Sequence, residues 1–540
     1  MKTFKLKLHY MVRSNLNFKT IRPSLNRYVL AIFSGCLYAL SNVGFGWWPL
    51  VFFYLVPLWL AIDSLNHQQL KKVAILGFAF GFSAYAVGFP WLLSLTDKFL
   101  GSGLVLGSIL WLGLGIWFAL SFTLYALLYR GLRHINCPQI IAGTSPLILL
   151  EWCQVNLFPS YAGAALIAKP ILAQTADLGG PLLLSAFVVV INSAVYAVYR
   201  WYTRKHNFPA TQTFCSLLLI ISVLIYGQVQ SSFILDNEQE KPVHVGAVQS
   251  NLVMLEKDEL SLRSHPAHLK QSRDLLDKHK IDLLIWPETA YVRGLRRPLP
   301  IDAQFIRSDI EVPLLFGGTS VWQNKGQRTK ANSVFLADKA GKIDQVYDKS
   351  LLIPFAEYTP FSQLLEPFEK QLSVLFPQGQ NFYSEGLQKT IKLDSTIIST
   401  PICYEIIHPD FIQKLVKNTR PQLLITLAND AWFGDTQEPW IHLSLARLRA
   451  IEHRLWLVRS TNSGISAIVD PAGNITTRTG LHTRENLLGT VYPRDSYTLY
   501  TQYGNWIGWL ALILTLPGFY RLLTGNRQLR SFAPSFFANR

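Results

Sequence analysis

Ile397-Ile398-Ser399-Thr400-Pro401-Ile402-Cys403-Tyr404-Glu405 reads as an apolar strand that runs into a tight turn at a cysteine. Cys403 is the one cysteine in the long water-compatible stretch of the chain, because Cys36, Cys137, Cys153 and Cys215 lie in or beside apolar runs. Two further apolar strands end in residues able to serve it: Glu288 in Trp286-Pro287-Glu288-Thr289 and Lys349 in Tyr347-Asp348-Lys349. A thiol, a carboxylate and an ammonium at three strand ends are the parts needed to form and resolve a thioester.

Working outward, the segment from Ser231 to Gln502 reads as an α/β domain. Strand-like runs are expected at Val243–Gln249, Ile281–Trp286, Pro313–Phe316, Ser333–Ala337, Ile397–Cys403, Leu423–Leu427, Leu455–Ser460 and Ile465–Asp470. Helices are expected at Pro266–Lys280 and Pro439–His453; in the second, Leu443, Ala446, Leu448 and Ile451 form an apolar stripe opposite Arg447 and Arg449. Two segments rich in aromatic and apolar residues, Pro360–Gly386 and Ala431–Pro439, read as lids or packed insertions.

The rest of the chain is apolar. Half of the 540 residues are hydrophobic and 16% are charged, which places the chain among membrane proteins. Candidate spans are Tyr28–Leu40, Trp47–Ile62, Val73–Leu95, Leu104–Tyr129, Ile140–Phe158, Pro181–Tyr199, Phe214–Gln230 and Tyr503–Tyr520. The net charge of +16 falls in short clusters between these runs, a pattern that orients a membrane protein and argues against nucleic acid as a partner. Lys71 and Lys72, Arg130 and Arg133, and Arg200, Arg204 and Lys205 alternate with nearly neutral turns. The expected division is a basic cytoplasmic tail at 1–27, about seven helices over 28–230, an extracytoplasmic domain at 231–502, a last span at 503–520 and a basic tail at 521–540. The tail before Tyr28 is too long and too evenly basic for an ordinary cleaved signal peptide. Cys403 has no partner for a disulfide within its domain, and no Cys/His spacing suggests zinc, so neither a metal nor another cofactor is expected.

Four separated motifs carry a resemblance. Trp286-Pro287-Glu288, Lys349-Ser350-Leu351-Leu352-Ile353-Pro354-Phe355-Ala356-Glu357, Cys403-Tyr404-Glu405 and Asn429-Asp430-Ala431-Trp432-Phe433-Gly434 resemble, in order, the nitrilase (carbon–nitrogen hydrolase) superfamily. Ala446–Glu452 and Thr461–Gly464 extend the likeness. With the flanking spans, the chain resembles the apolipoprotein N-acyltransferase family. The resemblance implies a multi-span helical membrane domain plus an extracytoplasmic αββα sandwich. It implies Glu288 as general base, Cys403 as nucleophile, and Lys349 with a backbone N–H just after the nucleophile as oxyanion stabilisers. Glu357 would hold Lys349 or share the proton, and Tyr404 and Glu405 would shape the pocket behind the nucleophile. Asn429, Trp432 and Phe433 would belong to a substrate-facing or lid segment.

The implied reaction moves a fatty acyl chain from phospholipid, through a thioester on Cys403, to the α-amino group of the diacylglyceryl-cysteine of an apolipoprotein. The enzyme would be a monomer of the bacterial inner membrane, with its catalytic domain in the periplasm. A membrane-tethered amidase with the same triad, or a paralogue with another amine acceptor, fits the same residues. Two departures from the family pattern touch substrate contacts: no Trp follows Val248-Gln249-Ser250-Asn251, and Leu157-Phe158-Pro159-Ser160 stands where Gly-Phe-Pro-Trp is usual. A Gly88-Phe89-Pro90-Trp91 string occurs in the third span.

Overall fold

The computed structural model describes residues 23–66, 68–93, 95, 103–153, 156–204, 208–236, 241–252, 257–324, 326–354, 356–358, 382–384, 386 and 389–524. The two terminal tails beyond 23 and 524, and all but 382–384 and 386 of the expected lid segment 360–386, lie outside the described residues.

Among the described residues five helices are long and apolar enough to cross a bilayer: 70–88, 107–134, 176–203, 210–232 and 506–524. The other three expected spans form shorter helices, at Pro23–Leu40, Leu55–Asp63 and Gln139–Cys153. The third expected span stops at Gly88, because Pro90 cannot continue the helical ladder. Exposed Ile109, Trp117, Leu217, Ile221, Ile225, Trp509 and Ile513 clothe the outside of this unit in apolar surface. Such a surface is stable in lipid and costly in water.

The water-compatible segment folds into two stacked sheets. In chain order the strands are β1 Val243–Gln249, β2 Leu283–Ile285, β3 Tyr291–Arg296, β4 Ile301–Asp302, β5 Leu314–Asn324, β6 Gln327–Ala337 and β7 Lys342–Asp348. They continue as β8 Ile391–Leu393, β9 Thr396–Ser399, β10 Leu423–Ala428, β11 Leu457–Thr461, β12 Ala467–Val469, β13 Ile475–Arg478 and β14 Glu485–Val491. One sheet runs β14-β1-β2-β5-β6-β7-β4 with β3 beside β5; the other runs β13-β12-β11-β10-β9-β8. Val245, Leu283, Ile285, Leu315 and Val334 of the first meet Ile398, Leu423, Ile425, Leu427 and Val458 of the second in a shared core. The Lys257–Leu276 helix covers the outer face of the first sheet, and the Pro409–Thr419 and Glu438–His453 helices cover the second. This is the expected αββα sandwich.

Three expectations need correction. The strand expected through Cys403 ends at Ser399, and Cys403–Ile407 form a 3₁₀ turn; Pro401 has no N–H to extend the ladder. The face of the Glu438–His453 helix expected to meet water is buried. Arg449 is fully enclosed and bonded to Glu452 at 2.7 Å, and the Arg447 Nε donates to Gly473 O at 2.9 Å. An amphipathic reading assumes solvent on one side, whereas this helix lies between the second sheet and the helical unit. The strands β3, β4, β8 and β14 were not foreseen, being short or carrying charges at sheet edges.

Buried polar contacts fix the two units together. Arg454, in the left-handed conformation at the end of that helix, donates to Asp177 at 2.7 Å and to Gln174 O at 2.9 Å, and the Gln174 Nε2 donates to Ala472 O at 2.8 Å. A mobile tether would leave such groups to water.

Candidate active site

Each candidate group is presented by a strand end. Glu288 follows β2 and precedes Thr289, which has φ of 57°; Lys349 follows β7; Cys403 follows the Pro401 break after β9 and has φ of 50°. Left-handed backbone at a non-glycine residue costs on the order of 1 kcal/mol or more and persists where the surroundings fix it. Gly317 of β5 is one such constraint: a Cβ there would lie 2.7 Å from both the Glu288 Cα and Pro287 O.

The side chains converge. The Lys349 Nζ lies 2.7 Å from Glu357 Oε1 and 3.9 Å from Glu288 Oε1, and Lys349 is 1% exposed. The Asn332 Nδ2 bridges the carboxylates, donating to Glu288 Oε1 at 2.8 Å and to Glu357 Oε1 at 3.3 Å. The second Glu357 oxygen accepts from Ile353 N at 2.9 Å. The Cys403 thiol interacts with Glu288.

Burial, then the Glu288 charge, push the Cys403 thiol well up, while Lys349 pulls it down. Burial raises the Glu288 carboxyl too, against the opposing pull of Lys349. For Lys349, burial disfavours the ammonium, but Glu357 and Glu288 outweigh it and raise the pKa. The resting site is therefore a neutral thiol facing a carboxylate of enhanced basicity, next to a firmly charged ammonium. That arrangement suits attack in which the proton leaves sulfur as the bond to carbon forms.

Among the described residues, Glu405 pairs with no arginine. Fully buried, it accepts from Ser350 N (2.6 Å), Leu351 N (2.8 Å), Ile402 N (2.7 Å) and the Tyr347 hydroxyl (2.8 Å). Burial pushes its carboxyl up to about 7, with the Ile402 and Leu351 N–H groups opposing. It thus ties the loop after Lys349 to the turn that carries Cys403. Glu405→Ala leaves two buried donors, the Ile402 N–H and the Tyr347 hydroxyl, and two part-buried ones without an acceptor, and is expected to destabilise by roughly 3 kcal/mol or more, at about 1–3 kcal/mol per orphaned buried group. Glu405→Gln, which keeps one acceptor oxygen, is expected to lose about half of that. Denaturant midpoints of the purified variants measure both; equal stability of Glu405→Ala and wild type would refute the tie.

Tyr404 and Phe433 face the helical unit. The Tyr404 hydroxyl donates to Leu157 O, and its ring meets Phe158 edge-on at 5.8 Å. Phe433 packs edge-on against Trp91 at 5.5 Å and Phe158 at 6.2 Å, and Trp91 meets Phe158 at 4.8 Å. The strings Phe89-Pro90-Trp91 and Phe158-Pro159-Ser160, distant in sequence, thus join in one aromatic cluster next to Tyr404, the neighbour of Cys403. Asn429 caps the 430–433 turn, accepting from Ala431 N at 3.3 Å, and interacts through its backbone with Cys403. Trp432 is half-buried against the same apolar core.

Sequence reading missed Asn332, and it missed Asp430, His442 and Arg459, described below. A polar Asn332-Ser333 pair inside an apolar strand was the available signal for the first. Gly464 of the Thr461–Gly464 motif is explained by Asp430, whose Oδ2 would lie 2.1 Å from a Cβ.

A two-sheet sandwich with Glu, Lys and Cys at its strand ends, docked on apolar helices, defines a membrane protein of the carbon–nitrogen hydrolase class. Residues 245–497 match the carbon–nitrogen hydrolase family model, and 34–194 match that of the apolipoprotein N-acyltransferase N-terminal domain. The apolipoprotein N-acyltransferase of Pseudomonas aeruginosa is 30% identical over 533 residues, covering 94% of this chain and 98% of the relative. That of Azotobacter vinelandii is 30% identical over 520 residues, covering 91% and 95%. Among solved structures, a Saccharomyces cerevisiae protein of branch 10 of the nitrilase superfamily aligns at 16% identity and a TM-score of 0.36, over 54% of this chain and 97% of its own. The chain belongs to the apolipoprotein N-acyltransferase family.

Proposed function

We propose that this protein transfers a fatty acyl chain from a phospholipid, through a thioester on Cys403, to the α-amino group of a diacylglyceryl-cysteine at the start of an apolipoprotein. The observation that carries the choice of a lipid donor is the packing of Tyr404 and Phe433, neighbours of the nucleophile, onto Trp91 and Phe158 of the apolar helical unit. A soluble amide substrate needs no such junction.

Glu288 takes the thiol proton as sulfur attacks the ester carbonyl. Lys349 and the Tyr404 N–H stabilise the oxyanion. The carbon–oxygen bond then breaks, the glycerol oxygen takes the proton from Glu288, and lysophospholipid leaves. The acceptor amine attacks the thioester, gives a proton to Glu288 and restores the thiol as the amide forms. Each half-reaction balances without oxidant or nucleotide, because a thioester is intrinsically susceptible to amines. Membrane location is supported by the apolar helices; the cytoplasmic N-terminus, the periplasmic side of the inner membrane for the catalytic domain, the monomeric state and the span count follow from the charge pattern and the resemblance.

Incubation of the purified protein with phosphatidylethanolamine and no acceptor is expected to add one acyl mass to the peptide carrying Cys403, with equimolar lysophospholipid. Free fatty acid without adduct or amide product would instead favour a hydrolase.

A further inference from the structure

A buried group of four side chains from three elements supports the turn at Cys403. The Arg459 Nη2 of β11 lies 2.5 Å from Asp430 Oδ2; the His442 Nδ1 lies 3.2 Å from Asp430 Oδ1 and 3.8 Å from Glu438 Oε1. The other ring nitrogen, His442 Nε2, is 3.2 Å from the carbonyl oxygen of Cys403 itself. None of these four side chains is more than 3% exposed. Asp430, Glu438 and His442 gather as metal ligands do, within 4.8 Å of one another, but the Arg459 guanidinium already holds one Asp430 oxygen.

The proton inventory fixes the role of His442. Two carboxylates and one guanidinium leave one negative charge, which a buried cluster neutralises by binding a proton. Glu438 and the His442 Nδ1, which faces Asp430 Oδ1 at 3.2 Å and Glu438 Oε1 at 3.8 Å, are the two sites for it. Burial pushes the Glu438 carboxyl well up and the His442 imidazolium down. In either location Nε2 keeps its own hydrogen, because it faces a carbonyl oxygen that can only accept.

A peptide group is planar, with its C=O and N–H pointing in opposite directions. Holding the Cys403 carbonyl therefore sets where the Tyr404 N–H points. On the other side of the nucleophile, the Ile402 carbonyl accepts from the Glu405 N–H at 3.1 Å. The left-handed residue is thus clamped at both flanking peptides.

We propose that His442, backed by Asp430, Glu438 and Arg459, is a positioning residue that aims the Tyr404 N–H at the oxyanion formed when Cys403 attacks an acyl carbonyl. The inference rests on the acyl-enzyme reading above. It predicts a selective defect. Acylation by an ester passes through an oxyanion, whereas alkylation by iodoacetamide is a displacement at saturated carbon and forms none.

In the full-length protein in phosphatidylethanolamine–detergent micelles, His442→Ala is expected to slow single-turnover acylation of Cys403 about 100-fold, the size of effect of losing an oxyanion donor. Alkylation should stay within about threefold, the nucleophile and its base being untouched. His442→Gln, whose amide can present N–H near the Nε2 position, is expected to recover acylation to within about tenfold of wild type. Glu438→Gln keeps the side-chain volume and serves where His442→Ala does not fold; it is expected to slow acylation about tenfold with alkylation unchanged. Parallel loss of both reactions, or undiminished acylation in His442→Ala, would overturn the positioning role. Alkylation of wild type without any acyl adduct would overturn the acyl-enzyme reading instead.

Discussion

Cys403→Ala is expected to abolish acyl transfer while leaving the fold intact, lowering turnover by up to about 10⁶-fold, the scale seen when a covalent nucleophile is removed alone. Alanine keeps the Cβ, so the left-handed backbone at φ 50° is neither relieved nor worsened. The resting thiol is neutral, held so by burial and then by Glu288, so its removal strands no buried charge. The stability change should accordingly remain near 1 kcal/mol, the cost of deleting one small buried group. Lysophospholipid release and the denaturant midpoint together measure the two effects. Release at the wild-type rate from Cys403→Ala would remove Cys403 from the mechanism.

Lys349→Met should damage both stability and catalysis. The ammonium lies between Glu357 at 2.7 Å and Glu288 at 3.9 Å, with Asn332 donating to both carboxylates. Methionine fills the volume but leaves two buried carboxylates facing one another, and removing one partner of a buried ion pair costs about 3–5 kcal/mol. Two such carboxylates share a proton rather than both ionise. Glu288 then holds a proton when it should accept one, and an oxyanion donor is lost, so acyl transfer should fall at least ~10³-fold.

The sign of the pH effect follows from the same geometry. Lys349 lowers the Glu288 pKa, so its loss raises that pKa further, and residual activity of the variant should fail at a higher pH than wild type does as pH decreases. For stability, a carboxyl whose folded pKa is raised above its unfolded value contributes fully below the unfolded value and loses that contribution as pH rises. The stability deficit of Lys349→Met should therefore be smallest in acid, where its activity is lowest. An unshifted pH profile with activity within tenfold of wild type would refute the assignment of Lys349.

The proposed triad was legible in the sequence because each member sits at the end of an apolar run, and strand ends in a two-sheet sandwich are where backbone polar groups and side chains can face a common cavity. Cys403, Glu288 and Lys349 are separated by tens of residues, yet β2, β7 and the turn after β9 bring them together. The support around them was not legible in the same way. Asn332, Asp430, His442 and Arg459 carry little local signal of their own: a polar residue beside an expected strand, a turn residue, a helix residue and a residue within an expected strand. Glu405 was read as shaping the pocket, and its four donors come from residues 347 to 351 and from Ile402.

By itself the sequence determined the class of the protein, for periodicity and composition are local: alternating strands, long apolar helices, basic clusters between them, and motifs of a few adjacent residues. It also pointed to the candidate groups for chemistry, a lone thiol with a strand-end carboxylate and ammonium, which the fold brings together. Only the tertiary structure decided what holds those groups in place and where the site meets the apolar helices. Arg449 is buried rather than solvated because a second unit covers its face, and Trp91, Phe158, Tyr404 and Phe433 form one cluster because three distant segments pack together. His442 reaches the Cys403 carbonyl for the same reason. Burial turns an unremarkable helix histidine into a fixed hydrogen-bond donor, and burial by distant segments is not encoded in local sequence.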